Sequence, residues 1–269
     1  GQVPPDMNPD AAKLWTAPRW ALAVLLAVLG MLGPFSIDTY LPAFSGIASS
    51  LNASPVHMQQ TLSAYLFGFA FMNLFHGALA DSFGRRPVIL WGLMAFTLAS
   101  LGCALAQNVT QLIVFRAMQG LSCGAGVVVS RAIVRDIFPP TQAQKVMSQI
   151  TIFFGLAPAI APIMGGWLFV SLGWHSIFWL LTAIGLALWA VNFKMLPESL
   201  HASQRQPFSI PHLMRGYWQL CTDPRFLLLA LASGIPFNGM FLYVLSAPAF
   251  LGEFLQLQPT QFFWLFVLN

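Results

Sequence analysis

Long uncharged stretches separated by short polar breaks dominate the chain. Predominantly apolar runs cover about 20–47, 58–80, 87–107, 110–132, 146–170, 174–195 and 226–251, and an eighth opens near 259. The breaks carry turn-forming residues: Asn52-Ala53-Ser54-Pro55, Gly84 to Pro87, Gln107-Asn108, Pro139-Pro140, Ser171-Leu172-Gly173, and Pro197 onward. Each run approaches or exceeds the roughly 20 residues that cross a hydrocarbon layer as a helix. Barrel strands would instead alternate over segments of about ten residues, so the pattern predicts an all-α membrane protein.

Composition agrees with the pattern. Of 269 residues, 57% are hydrophobic and only 7% charged, with a mean hydropathy of +0.72. A water-exposed domain carries about 25% charged residues, and no soluble catalytic domain fits beside eight spans. Residues 1–19 hold Asp6 and Asp10 ahead of any apolar run, unlike the basic-then-apolar plan of a signal peptide, and read as a short lead-in. Residues 20–196 read as a six-helix bundle, 197–225 as a polar linker, and 226–269 as the start of a second bundle. The chain ends inside the apolar run Phe262 to Leu268 and begins with Gly1, so a fragment of a longer protein is expected.

The basic residues then set the orientation. Eleven of the twelve Lys and Arg flank the runs on one face: Lys13, Arg19, Arg85, Arg86, Arg131, Arg135, Lys145, Lys194, Arg205, Arg215 and Arg225. The connections near 48–57, 108–109, 171–173 and 252–258 hold none, which predicts a cytoplasmic N-terminus. The same asymmetry accounts for the net charge of +4, so no nucleic-acid partner is implied. Cys103, Cys123 and Cys221 have neither metal-ligand spacing nor the even count of a disulfide framework, and no metal or cofactor is expected.

Two charges remain inside apolar runs, where each costs about 2.5–3.5 kcal/mol on insertion scales. Asp38 lies about 15 Å from the outer end of the first helix, and Arg116 about 9 Å from the outer end of the fourth, at 1.5 Å per residue. At such similar depth the pair reads as a proton or cation-substrate site, or as a fixed ion pair that holds helices together. A second constellation closes the second run: Gly77-Ala78-Leu79-Ala80-Asp81-Ser82-Phe83-Gly84-Arg85-Arg86-Pro87. Small residues there admit a neighbouring helix, Gly84 suits a tight turn, and Asp81, Arg85 and Arg86 make a charge knot at headgroup level.

That stretch resembles the signature loop of the major facilitator superfamily, Gly-x-Leu-Ala-Asp-x-x-Gly-Arg-Arg, with Ser82 where a basic residue is usual. Arg116-Ala117-Met118-Gln119-Gly120 resembles the family's intramembrane Arg-x-x-Gln-Gly motif. Ala161-Pro162-Ile163-Met164-Gly165-Gly166 resembles the Gly-Pro-x-x-Gly-Gly motif of its proton antiporters, with Ala161 in place of the first glycine. Asp38-Thr39-Tyr40-Leu41-Pro42-Ala43, Arg135-Asp136 and Trp174-His175-Ser176-Ile177-Phe178 resemble stretches of the bicyclomycin-resistance (Bcr/CflA) drug exporters.

The resemblance implies a fold of twelve helices in two halves rocking around a midplane site, of which about seven and a half are present here. It further implies a bacterial inner-membrane exporter, acting as a monomer, that exchanges external protons for cytoplasmic drugs. Asp38 and Arg116 would couple the proton, with proton and drug competing at Asp38. Asp38, Tyr40, Gln119, Asn238, Phe241 and Tyr243 would meet the substrate. Gly77, Asp81, Gly84, Arg85, Arg86, Arg135 and Asp136 would form a conformational latch, and Pro162, Gly165 and Gly166 the antiporter element.

Three rival readings compete with this one. A same-superfamily importer of a small metabolite shares the signature loop but not usually the fifth-helix element. A seven-helix receptor would place its N-terminus outside, against the basic residues. An enzyme lacks support: no Gly-x-x-x-x-Gly-Lys loop occurs, which excludes ATP-driven transport by this chain, and no nucleophile, base and orienter share one membrane depth. His76 and His175 read as packing or interfacial residues, and Gln59, Gln60 and Asn73 as cavity polars.

Overall fold

The computed structural model describes residues 18–232. Within them the chain forms α1 (Arg19–Asp38), a 3-10 turn (Leu41–Ala43), α2 (Phe44–Ser50), α3 (Pro55–Phe83), α4 (Arg85–Ala104), α5 (Val109–Ile137), α6 (Pro140–Leu172), α7 (His175–Met195) and α8 (Ile210–Thr222). Six segments are long and apolar enough to cross a membrane: Trp20–Ser50, and α3 to α7, of 20 to 33 residues each. Their ends follow the expected breaks. Ser54 caps α3 by accepting from the His57 N–H at 3.2 Å, ahead of Pro55 at N1, and Asn108 caps α5 by accepting from Gln111 N–H at 2.9 Å.

α5 is the central helix: α3 and α4 pack along it, α1 crosses it, α6 leans on α1, and α7 closes against α4. One buried cluster runs through all of them, from Leu22 and Leu26 through Phe96 and Val129 to Phe178 and Leu181. Large apolar side chains also cover the outside, including Phe67, Trp91 and Trp167 at 73%, 76% and 61% exposure. A patchwork of that kind is untenable in water and natural against lipid.

Three local features depart from the expected runs. The first run, read as one helix over 20–47, breaks after Asp38. Pro42 carries no N–H and disfavours a helical residue before it, so the chain tightens into the 3-10 turn before α2 resumes. The fourth and fifth runs, read as 110–132 and 146–170, extend to Ile137 and back to Pro140. Hydropathy marks only the apolar part of a helix, and the polar turns around Arg131, Asp136 and Lys145 continue it past the hydrocarbon edge. Finally, the polar stretch 197–225 contains α8, and the chain is again helical from 224 to 232. The remainder of the run at 226–251, the run near 259 and residues 1–17 lie outside the described residues.

Candidate functional site

The break in α1 builds the first site. Beyond Asp38 the Thr39 N–H still reaches Phe35 O at 3.0 Å, but the Tyr40 N–H turns to Ile37 O at 3.2 Å. The carbonyl of Ser36 therefore loses its helical donor, as helix ends require, and takes one from Arg116 Nη1 at 3.3 Å. The same Nη1 donates to Gln119 Oε1 at 2.9 Å, one turn on along α5. Gln119 is fixed in turn, donating through Nε2 to Ser100 Oγ at 2.8 Å.

Arg116 is fully buried, and aromatic rings supply the rest of its surroundings. Its guanidinium carbon lies 4.4 Å from the ring centre of Tyr40, 4.3 Å from that of Tyr65 and 5.9 Å from that of Phe178. Such contacts contribute about 2 kcal/mol or more when desolvated. Both tyrosines are held by their hydroxyls: Tyr40 pairs with Thr61 Oγ1, and Tyr65 donates to Gly33 O at 2.8 Å. Nε and Nη2 of Arg116 take no hydrogen bond among the described residues.

Asp38 closes α1 and is 8% exposed. Among the described residues it forms no ion pair, with Arg116 or any other cation. The two intramembrane charges thus share a region without neutralising each other. Behind them passes α6. A Cβ on Gly165 would collide with the carbonyl of Thr39, so a glycine is what lets α6 back directly onto the break, with Pro162 and Gly166 buried beside it.

The second site lies at the other end of α3. Gly84 turns the chain with φ +99°, a conformation that L side chains rarely adopt, and α4 begins at once. Arg85 is 6% exposed. Its Nε donates to Asp136 Oδ2 at 2.8 Å, Nη2 to Asp136 Oδ1 at 3.2 Å, and Nη1 to Asp81 Oδ1 at 2.7 Å. Asp136 also accepts from Ser199 Oγ at 2.6 Å.

Gly84 offers α4 no capping side chain, and Glu198 supplies one from the segment after α7. Its carboxylate accepts the backbone N–H of Arg85 at 2.9 Å and of Arg86 at 3.1 Å, where the helix dipole favours a negative charge. Arg86 reaches back to the carbonyls of Leu196 at 3.1 Å and Phe193 at 2.5 Å. The network therefore ties the α3–α4 turn, the end of α5 and the segment after α7 into one knot.

Among the expected site residues, Asp81, Gly84, Arg85, Arg86 and Asp136 meet in this knot. Gly77 sits apart on α3 with room for a methyl group, its nearest neighbour being Val128 Cγ1 at 3.7 Å from a built Cβ. Arg135 is exposed and joins no ion pair among the described residues. Tyr40 and Gln119, expected to meet substrate, are fully buried and serve as the walls and brace of Arg116. Asn238, Phe241 and Tyr243 lie outside the described residues. Sequence reasoning missed Tyr65, Glu198 and Ser199. Pro197-Glu198-Ser199 directly after an apolar run was the available signal for the last two, since an acid at a helix exit has a partner to find.

Comparison with known proteins adds four findings. A family model described as Major Facilitator Superfamily matches residues 25–269. A bicyclomycin resistance protein homolog of Haemophilus influenzae is 36% identical over 244 residues, 91% of this chain and 61% of its own. The multidrug resistance protein MdtL of Escherichia coli is 36% identical over 175 residues, 65% of this chain and 45% of its own. The chain thus spans about half to three fifths of the length of these relatives. In fold it is similar to a bacterial homolog of the human lysosomal transporter Spinster in an inward-facing conformation, with a TM-score of 0.72 and 15% identity over 90% of this chain and 57% of that one.

Proposed function

This chain belongs to the major facilitator superfamily, a transport family rather than an enzyme family, and on that premise we propose that it is the leading part of a proton-coupled multidrug exporter of a bacterial inner membrane. In this reading 20–196 is the N-terminal bundle, 197–225 the cytoplasmic linker and 226–269 the opening of the second bundle. The N-terminus is cytoplasmic, and the whole protein works as a monomer on small amphipathic drugs.

The observation that carries the proposal is the state of Asp38. A carboxylate clamped by a buried arginine cannot readily take up a proton, and no cation clamps this one among the described residues. Arg116 is instead held by tyrosine faces, the Ser36 carbonyl and Gln119. Ionised Asp38 attracts a cationic drug from the cytoplasm; a proton arriving from outside cancels that attraction and releases it. The names of the two relatives, bicyclomycin resistance and multidrug resistance, support a drug as the cargo.

Efflux of a fluorescent cationic drug from cells expressing the full-length protein tests this directly. Efflux should collapse with a protonophore, and Asp38→Asn should abolish it while membrane insertion stays normal. Undiminished efflux by Asp38→Asn would sink the coupling role. Proton-driven uptake in place of efflux would make the protein an importer.

A further inference from the structure

The linker helix α8 is amphipathic in a way that the transport reading leaves unused. At 100° per residue, Ile210, Leu213, Met214, Tyr217, Trp218, Leu220 and Cys221 fall on one continuous arc, and Pro211, His212, Arg215, Gln219 and Thr222 on the other. In a soluble protein the apolar arc would be covered. Here Trp218 is 72% exposed and Ile210 53%, and no α8 residue is buried.

The position of the helix says what covers it. Gln206 N–H donates to Asp81 O at 2.9 Å, the Phe208 ring lies 6.5 Å from that of Phe83, and the Tyr217 hydroxyl donates to Leu74 O. These contacts pin the linker to the last turns of α3. Asp81 and Leu74 are seven residues apart, so the tyrosine is drawn roughly 10 Å along α3 from the Asp81 level toward the bilayer centre. Amphipathic helices seat their apolar face about 5–10 Å into the headgroup–acyl boundary. Arg205, Arg215 and Arg225, on or beside α8, join no ion pair among the described residues, and Asp223 and Glu198 are the only acids between 196 and 225. Glu198 is already spent on the α4 cap.

We propose that α8 is a docking surface for anionic phospholipid, its Ile210, Met214 and Trp218 side seated among acyl chains and Arg205, Arg215 and Arg225 on lipid phosphates. This rests on the chain spanning a membrane and on α8 lying at the end of the bundle that carries Arg85 and Arg86, not on drug or proton coupling. Because Tyr217 grips α3, lipid charge would bear on the same helix that ends in the Arg85 knot.

Cys221, exposed at the centre of the apolar arc, is the reporter, since Cys103 and Cys123 are buried. The full-length protein is labelled with bimane maleimide and reconstituted into vesicles of phosphatidylcholine alone or with phosphatidylglycerol; Cys221→Ser supplies the background. Acyl-brominated lipid should quench the label more strongly when phosphatidylglycerol is present, and added salt should weaken that preference. Arg215→Gln, at an exposed site, should reduce the preference roughly fivefold. Quenching by aqueous iodide but not by brominated lipid would overturn the proposal by placing the helix in water. Protection from both quenchers would overturn it in favour of a protein segment on that face, and equal quenching in the two vesicles would remove anionic lipid as the partner. None of these outcomes depends on efflux.

Discussion

Arg116 and Arg85 are both nearly or fully buried arginines, and the bundle satisfies them in opposite ways. Arg85, at the end of the membrane span, is forked between two carboxylates. Arg116, well inside it, faces two tyrosine rings, a carbonyl and an amide, with no acid among its described partners. Near the headgroups a full ion pair costs little more than its own desolvation and welds three segments together. Deeper in, a carboxylate on Arg116 would fix both charges permanently. Neutral but polarisable partners hold the arginine while leaving Asp38 uncommitted. One arginine is a weld, and the other, on the proposed function, stands beside a charge that changes during transport.

The sharpest way to break this comparison is to remove each cation while keeping its volume. Arg85→Met leaves buried Asp136 facing only the Ser199 hydroxyl among the described residues, while half-exposed Asp81 falls back on water. Breaking one partner of a buried pair costs about 3–5 kcal/mol, and chemical unfolding of the full-length protein in detergent should register a loss of that size. Arg85→Lys should recover part of it, because a single ammonium cannot fork between two carboxylates. An Arg85→Met protein as stable as the parent would mean that the knot welds nothing.

A smaller effect tests the turn beneath the weld. Gly84→Ala forces a Cβ into a conformation that costs about 1–3 kcal/mol and sets the new methyl against the Glu198 carboxylate. The expected loss in the same unfolding measurement is about 2 kcal/mol. In a Glu198→Ala background the collision disappears and only the backbone strain remains, so the two substitutions should be less than additive. Strict additivity would detach the Glu198 cap from the turn.

The two arginine sites also differ in how far the sequence disclosed them. The knot was largely readable, because Asp81, Gly84, Arg85 and Arg86 are contiguous and the charges stand out at the end of an apolar run. Glu198 and Ser199 escaped because their partners are more than sixty residues away and a linker acid looks solvated. At the other site the sequence exposed Asp38 and Arg116 as costly charges and suggested that they answer each other. What it could not show was that Pro42 breaks the helix, frees the Ser36 carbonyl and places Tyr40 on the guanidinium. Periodicity sees helices, not the orphan carbonyls where they stop. The six described spans followed from hydropathy for the same reason that α8 did not: a thirteen-residue helix with one wet face never forms an apolar run.

The substitution with opposing stability terms carries the most information about function. Arg116→Met abolishes an insertion cost of about 2.5–3.5 kcal/mol for a buried charge. Against that it forfeits the contacts to Tyr40 and Tyr65 and two hydrogen bonds, each of the latter worth about 1 kcal/mol. These terms offset one another only in part: about 6 kcal/mol is forfeited against about 3 kcal/mol relieved, so unfolding should lose roughly 3 kcal/mol, no more than Arg85→Met. Drug efflux should nevertheless fail, because the guanidinium that holds the Ser36 carbonyl and Gln119 at the break in α1 is gone. If Arg116→Met instead unfolds more readily than Arg85→Met, the aromatic box is a clamp like the knot, and the division between a welded arginine and a coupling one does not hold. If it is stable and still exports drug, Asp38 needs no cation beside it, and the coupling role falls on the carboxylate alone.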